Sequence, residues 1–296
     1  MSTAKEEKDI FMKKTVVAIL CGLLAVVASS LAFAAPPGGV TYSVHNMSNY
    51  DPAGVLGGRY IQSANEDQVC VFCHTPHNAQ PNRPLWNKRM PTQAFNMYTS
   101  SATLSTVAKG ATAPGPESLL CLSCHDGRTA INVLHNTSNP TAQLAGGVGP
   151  DKTVDLGVGN YNDAGTPGGV GIAMGLFTAI NAGKYAPNIG KTSADYYYGG
   201  NLTDDHPIAF SYKDAQAAEP TRLNDLTTVN ANSAGAIRFY GSTNRIECGS
   251  CHDPHVNYGS DTQGTTWAVG NPNPALKPFL RMSNVGSALC FACHKK

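Results

Sequence analysis

Residues 70–77 of this chain read Cys70-Val71-Phe72-Cys73-His74-Thr75-Pro76-His77. The first five residues form C-x-x-C-H, the attachment motif of a c-type haem. In such a motif the two thiols bond to the two vinyl groups of one haem, and the histidine that follows binds the iron as its proximal ligand. The stretch therefore predicts a covalent haem with His74 beneath its iron.

The motif occurs four times. We number the copies in chain order as motif one (70–74), motif two (121–125), motif three (248–252) and motif four (290–294). Cysteine pairs at this spacing also bind zinc, and cysteines in exported chains form disulfides. Neither alternative accounts for a histidine after every pair, so we expect four covalently attached haems. The attachment residues are Cys70, Cys73, Cys121, Cys124, Cys248, Cys251, Cys290 and Cys293, and the proximal ligands are His74, His125, His252 and His294.

The first 34 residues resemble a secretory signal peptide. Lys13 and Lys14 precede an apolar stretch at 15–27, and Ala32-Phe33-Ala34 fits a cleavage site. The apolar stretch is too short for a comfortable membrane span, and no later segment could cross a membrane. Because c-type haems are attached outside the cytoplasm, we expect an exported protein, extracellular or at the cell surface, with the periplasm as the alternative.

The balance of basic and acidic residues bears on which partners the protein can bind. Removing 1–34 takes away four of the 21 basic and three of the 20 acidic residues, which leaves 17 of each. A balanced surface gives no reason to expect binding to nucleic acid. Haem propionates would make the assembled protein acidic, so we expect partners among other redox proteins or extracellular electron acceptors.

The composition predicts a mostly irregular, loop-rich fold with short α-helices, organised by its haems. Only 14% of the residues are charged, and the chain contains 30 Gly and 19 Pro. Two segments are the better helix candidates, 93–104 and 117–124. Pro114-Gly115-Pro116 breaks the chain just before the second of them.

The chain contains an internal repeat. C-x-x-C-H-x-P-H occurs at 70–77 and again at 248–255, and a simpler motif follows each occurrence. The predicted organisation is a signal peptide (1–34), an N-terminal dihaem repeat (35–135), a Gly-rich insert (136–200) and a C-terminal dihaem repeat (201–296).

Five further histidines can supply distal iron ligands: His45, His77, His135, His206 and His255. His77 cannot bind the iron above His74, because three residues span at most about 10 Å, but it can reach a neighbouring haem. The repeat predicts that His45 and His77 serve the N-terminal pair of haems and that His206 and His255 serve the C-terminal pair. His135 has no counterpart in the second repeat, so it is the histidine expected not to bind an iron. Methionine is the other possible distal ligand, but the histidines suffice.

At these motifs the chain resembles the doubled C-x-x-C-H multihaem cytochromes c. Within that class it is most similar to the extracellular tetrahaem cytochromes that polymerise into conductive filaments (OmcE-like). The similarity covers most of the chain after residue 34 except the insert, and it rests on 45–48, 71–78, 84–87, 120–127, 205–208 and 290–294. It implies a continuous stack of bis-His haems in a loop-rich homopolymer.

Full coordination of every iron predicts an electron carrier rather than an enzyme. The alternatives are a soluble periplasmic shuttle and a multihaem reductase, which would need one iron with an open position. His45 lies on an N-terminal arm that could reach either a haem of its own chain or one of the next molecule. The second arrangement would link molecules head to tail.

Overall fold

Short helices joined by long irregular segments make up the part of the chain that the structure describes. This computed structural model describes residues 39–51, 61–63, 66–77, 79, 85–126, 129, 131, 133–137, 142–143, 152–153, 156–158, 200–258 and 272–295. They belong to one compact unit, Gly38–Lys296. The predicted signal peptide and most of the Gly-rich insert lie outside the described residues.

None of the described α-helices exceeds ten residues. They are α1 (Thr106–Lys109), α2 (Pro116–His125), α3 (Tyr212–Ala218), α4 (Leu226–Asn232), α5 (Cys248–Cys251) and α6 (Ala288–Cys293). Short 3-10 helices occur at Val69–Phe72, Pro274–Leu276 and Val285–Ser287. The loop-rich, short-helix part of the predicted fold is confirmed.

Helix starts follow local sequence signals. α2 begins with Pro116 after the N-cap Gly115, where proline's fixed φ and missing N–H cost little. Ser211 caps α3 and Asp225 caps α4, each accepting a hydrogen bond from a backbone N–H three residues on. The helix predicted at 117–124 is confirmed by α2.

The helix predicted at 93–104 is wrong, because tertiary pairing holds this segment extended. Asn96 forms a parallel bridge with Asn201. Its N–H donates to the Gly200 carbonyl at 2.6 Å, and its carbonyl accepts from the Leu202 N–H at 2.8 Å. The segment is also rich in Ser and Thr, whose side chains compete with helical hydrogen bonds. The helix begins later, at α1, where Ser105 supplies the cap.

Two small antiparallel sheets connect the insert to the N-terminal repeat. β1 (Ile61–Ser63) pairs with β5 (Leu156–Val158), and Ile61 is opposite Val158. The second sheet has the order β2 (Val133–Leu134), β4 (Lys152–Thr153), β3 (Ala142–Gln143). The first part of the insert therefore adds strands to the N-terminal repeat.

Two apolar clusters form the described core. The C-terminal cluster packs α3, α4 and α6 together around Tyr212, Val229, Ile237, Ile246 and Ala292. The central cluster joins the repeats, since Phe95, Met97 and Leu122 pack against Leu202. Leu122 and Ala292 are spacer residues of motifs two and four, so the core directly positions those motifs.

Candidate haem centres

Each attachment motif lies on about one helical turn with its second spacer residue buried. Motif one spans a 3-10 helix, motif three coincides with α5, and motifs two and four end α2 and α6. Cysteines three residues apart on such a turn lie on one face. The buried second spacers are Phe72, Ser123, Ser250 and Ala292, each no more than 1% exposed. Anchoring this position fixes the turn that carries the two thiols and the following histidine.

Motif one adjoins motif two. Burial raises the pKa of the Cys73 thiol to about 12, and the nearby Cys124 thiol adds to that increase. The Trp86 indole N–H donates to Ser123 Oγ at 3.2 Å, while Trp86 packs edge-on against the His74 ring. Trp86 therefore connects the proximal histidine of motif one to a buried spacer of motif two.

Motif two adjoins motif three across the boundary between the repeats. The Cys121 and Cys248 thiols interact, and this interaction raises the pKa of Cys121 and lowers that of Cys248. Ser118 Oγ donates to Glu247 Oε2 at 2.5 Å and accepts from the Cys248 N–H at 3.0 Å. Arg245 also contacts Glu247 at this boundary.

The Arg245 guanidinium holds two carboxylates at this junction. Its Nε donates to Glu247 Oε1 at 3.0 Å, and its Nη2 donates to Glu117 Oε2 at 2.9 Å. Glu247 is fully buried, and a buried carboxylate needs such a partner. The arginine thereby fixes α2 against α5.

Motif three adjoins motif four. Burial raises the pKa of Cys251 to about 11, with contributions from Cys248 and Cys290. Burial likewise raises the pKa of Cys293 to about 12, and Cys251 adds to the increase. The four attachment sites thus follow one another in space in the same order as in the chain.

Three pairs of histidine rings oppose each other. The ring centroids of His74 and His255 are 6.3 Å apart with planes 10° from parallel. Those of His206 and His294 are also 6.3 Å apart, at 70°. His45 and His125 are 6.1 Å apart, at 88°. Each pair combines one proximal histidine with one predicted distal histidine.

This spacing fits a metal ion held between two imidazoles. Metal–nitrogen bonds of about 2.0–2.1 Å, with about 1.1 Å from each nitrogen to its ring centre, put the two centroids about 6.3 Å apart. The three observed separations lie within 0.2 Å of that value. These residues therefore fit bis-imidazole ligation of an iron.

Hydrogen bonds at Nδ1 orient several of the imidazoles. His206 Nδ1 lies 2.9 Å from the Pro207 carbonyl, and His252 Nδ1 lies 3.0 Å from the Pro278 carbonyl. His255 Nδ1 lies 2.9 Å from Asp253 Oδ1, and Arg281 pairs with the other oxygen of that carboxylate at 2.9 Å. A partner at Nδ1 fixes the tautomer and leaves Nε2 as the metal-binding atom.

Burial favours the neutral form of three of the paired histidines by lowering the pKa of each. It lowers the pKa of His45 to about 3, and the neighbouring His125 lowers it further. Burial and His255 lower the pKa of His74, while burial and His206 lower that of His294. Only a neutral imidazole can bind a metal, so each of these rings is ready as a ligand near neutral pH.

Neither His252 nor His77 faces a second imidazole among the described residues. His252 and His77 are exposed. The His77 carbonyl accepts from Thr75 Oγ1 at 2.7 Å. His135 is half-buried, and burial with nearby Arg89 lowers its pKa. The structure therefore opposes three of the four proximal histidines to a second ring.

One expectation about the distal histidines differs from the structure. His255 was expected to serve the C-terminal pair, but its ring faces His74 of the N-terminal repeat. Docking of the two repeats brings these two rings together, and chain spacing within one repeat does not reveal it. Of the two positions open to His45, the structure has the one within its own chain, where its ring packs against Phe279 at 4.3 Å and faces His125 of the N-terminal repeat.

Sequence reasoning overlooked the residues that orient the ligands. Asp253 lies two positions before His255, and a carboxylate at such a spacing is a signal for an orienting partner. Arg281 and Phe279 lie about 25 residues further on and carry no local signal. The Glu117–Arg245–Glu247 network joins residues about 130 positions apart, so only the folded chain reveals it.

None of the eight motif cysteines forms a disulfide. Among the described residues, no group of three or more His, Cys, Asp or Glu side chains could hold a metal ion. In the same part of the chain, no helix has the length and apolarity that a membrane crossing requires. The chain matches no protein-family model and no curated protein.

Proposed function

We propose that the protein is a tetrahaem c-type cytochrome that carries electrons through closely spaced bis-His haems and assembles as a subunit of an extracellular filament. The observation that supports this most is the set of three opposed histidine pairs with centroid separations of 6.1 to 6.3 Å. Each pair includes the histidine that ends a C-x-x-C-H motif. The combination of covalent attachment and two axial imidazoles is what an electron-transfer haem needs.

The bound haem would supply one-electron chemistry at its iron. The chain would hold it at four points: two cysteines, a proximal histidine and a distal histidine. Because His252 and His255 are three residues apart, the haem of motif three would lie beside the haem that His255 helps to hold. Contiguous motifs and this shared segment support a continuous electron path.

The distal ligand of motif three is the remaining question. The repeat makes His77 the counterpart of His255, so a reciprocal exchange would place His77 opposite His252. The alternative is a histidine from a second copy of the chain. A ligand from a second copy would create a head-to-tail contact, which produces an open filament when it does not close into a ring.

A mass and spectral test addresses the cytochrome proposal. Four covalent haems would add about 2.5 kDa to the mature polypeptide under denaturing conditions, and the ferric protein should be low-spin. Fewer than four haems in fully matured protein, or bound zinc, would contradict the proposal. Electron microscopy of the native protein would test the filament, and particles that remain monomeric at high concentration would exclude it.

One observation favours a second candidate, a reductase with an open haem. His252 faces no second imidazole among the described residues, and a five-coordinate iron there could bind a small anion. The expected result for the carrier is no rapid binding of nitrite or cyanide at any site. Binding at one site, lost in His252→Ala together with the corresponding spectral change, would favour the reductase.

A further inference from the structure

The N-terminal arm, residues 39–46, contacts the C-terminal repeat at two points. Gly39 lies so close to the backbone of His255 that a Cβ at this position would overlap the His255 carbonyl oxygen. Further along the arm, the His45 ring packs against the Phe279 ring, with 4.3 Å between the centroids and 36° between the planes. The arm that carries His45 is therefore held by the other repeat near its start and at the ligand itself.

The backbone and the ring of His45 are held by different parts of the chain. Its backbone N–H donates to Ser43 Oγ at 3.2 Å, within the arm. Two groups of the C-terminal repeat act on the ring. They are the Phe279 ring and the Pro254 carbonyl, which partly offsets the decrease in the His45 pKa that burial causes. The direction of the imidazole thus depends on the C-terminal repeat.

Phe279 has a strained backbone. Its φ is +59°, in the left-handed region that is unfavourable for a bulky residue. Such strain persists only where the surrounding structure imposes it, and it is concentrated at functional sites. The Phe279 carbonyl accepts from the Asp253 N–H at 2.7 Å, and Tyr258 packs edge-on against the Phe279 ring at 4.6 Å. These contacts hold the ring in the position where it meets His45.

The residues that follow Phe279 are bound to motif three. Leu280 forms an antiparallel bridge with His252. The Arg281 N–H donates to the Cys251 carbonyl at 2.8 Å. The position of Phe279 is therefore set by the turn of motif three, although its ring contacts the histidine that faces motif two.

We propose that Phe279 is a positioning residue for the haem centre of motif two, where its ring holds the His45 imidazole opposite His125. This inference rests on the proposed cytochrome function. Without the aromatic ring, the imidazole would have more freedom to rotate away from the iron. The iron would then spend a larger fraction of time with its distal position open.

The test measures cyanide binding to ferric protein that is shown by mass to carry four haems. Cyanide binds only while the distal imidazole is away from the iron, so its apparent affinity reports that fraction. Phe279→Leu removes the ring but keeps an apolar side chain at the strained φ, and Phe279→Tyr retains the ring. Gly39→Ala displaces the arm at its other contact. Gly110→Ala is the control for that change, because a Cβ there would meet nothing closer than 3.3 Å.

Two observations identify the centre that opens. His45→Ala removes the imidazole itself, so its spectrum marks the centre of motif two. The EPR signal of a low-spin ferric haem also depends on the angle between its axial imidazoles, which is 88° for His45 and His125 but 10° for His74 and His255. The His74/His255 centre should be retained in every variant. Asp253 Oδ1 binds both the backbone N–H and the ring of His255, at 3.0 and 2.9 Å, so the arm gives way first.

We expect the cyanide affinity of the motif-two centre to increase about tenfold in Phe279→Leu and in Gly39→Ala, since partners that orient a metal ligand typically change metal affinity by about 10- to 100-fold. Phe279→Tyr and Gly110→Ala should match the wild type. An unchanged affinity in Phe279→Leu, an equal increase in Phe279→Tyr, or equal opening of all centres would overturn the proposal.

Loss of a haem from both Phe279→Leu and Gly39→Ala would also overturn it, because these residues would then be required for maturation rather than for placing His45. An unaltered spectrum in His45→Ala would overturn it as well, since His45 would not be a ligand. Absence of covalent haem from the wild type would instead contradict the proposed function.

Discussion

The two repeats contain the same motifs but are held together differently. The C-terminal repeat has its own apolar core, in which Tyr212, Val229 and Ile246 pack together. It also opposes two of its own histidines, His206 and His294. In the N-terminal repeat, by contrast, many of the fully buried side chains are polar: Asn46, Ser48, Glu66, Asn87, Lys88, Ser118, Ser123 and Asp126.

The N-terminal repeat also depends on the rest of the chain. Its His74 faces His255 of the other repeat, and its short strands pair with strands of the insert. Leu202 completes the apolar cluster around Leu122. The comparison indicates that a C-x-x-C-H motif adopts its helical turn with an anchored spacer in either apolar or polar surroundings.

The strongest test of this asymmetry removes one of the proposed haems from each repeat. Changing Cys70 and Cys73 to Ser should reduce the mass by one haem, about 616 Da, and should also disturb the contact between the repeats, because His255 loses its shared iron. Changing Cys290 and Cys293 to Ser should remove one haem with its effects confined to the C-terminal repeat. Mass spectrometry and limited proteolysis would measure both outcomes. Equal loosening of the two repeats in both variants would contradict the asymmetry.

Asn87 is the next most sensitive position, because one side chain satisfies three backbone groups. Its Nδ2 donates to the Val71 and Asn136 carbonyls, each at 2.6 Å, and its Oδ1 accepts from the Asn136 N–H at 2.7 Å. Asn87→Ala would leave buried polar groups unpaired, at a cost of about 3 kcal/mol in unfolding free energy.

Tyr212→Phe provides the matched change in the apolar repeat. It removes only a hydroxyl that donates to the Asn224 carbonyl at 2.8 Å, and it should cost about 1 kcal/mol. Denaturant unfolding of both variants compares the repeats directly. A larger loss in Tyr212→Phe than in Asn87→Ala would reverse the conclusion that polar contacts organise the N-terminal repeat.

Substitution of Gly115 tests how closely α2 packs against Glu247 at the junction between the repeats. A Cβ at this position would overlap the Glu247 carboxylate, so Gly115→Ala should displace Glu247 from Arg245 and Ser118. We expect a loss of about 1–3 kcal/mol in unfolding free energy. Gly286→Ala is a contrasting variant: a Cβ there meets nothing within 4 Å, although the positive φ of 64° strains the backbone. If Gly115→Ala matches wild-type stability, close packing of α2 against Glu247 is excluded.

The smallest expected effect is the loss of the pH-dependent stability that the Asp253 carboxylate contributes. The hydrogen bond from His255, with help from Arg281, lowers the pKa of this carboxyl to about 2. Since the folded pKa lies below the unfolded value of about 3.9, the stabilisation is complete above pH 4 and is lost as the pH falls towards 2. Asp253→Asn should remove that component from a pH series of unfolding midpoints, whereas Asp214→Asn, at an exposed position of α3, should leave that component in place. An unaltered acid profile in Asp253→Asn would show that this carboxylate does not orient His255.

The sequence by itself determined the local chemistry. Each C-x-x-C-H motif specifies two thiols and a histidine within one helical turn, and the Pro114-Gly115-Pro116 break locates the start of α2. The scarcity of helix-forming runs predicted short helices and long loops. These features depend on residues within one or two turns of each other, so the pattern of residue types is sufficient to read them.

Only the tertiary structure decided which histidines meet. Spacing within each repeat assigned His255 to its own half, whereas docking of α2 against α5 carries it across to His74. Tertiary pairing likewise holds Asn96 extended against Gly200 and Leu202. Distal pairing depends on contacts between residues 80 or more positions apart, and no local propensity specifies such contacts.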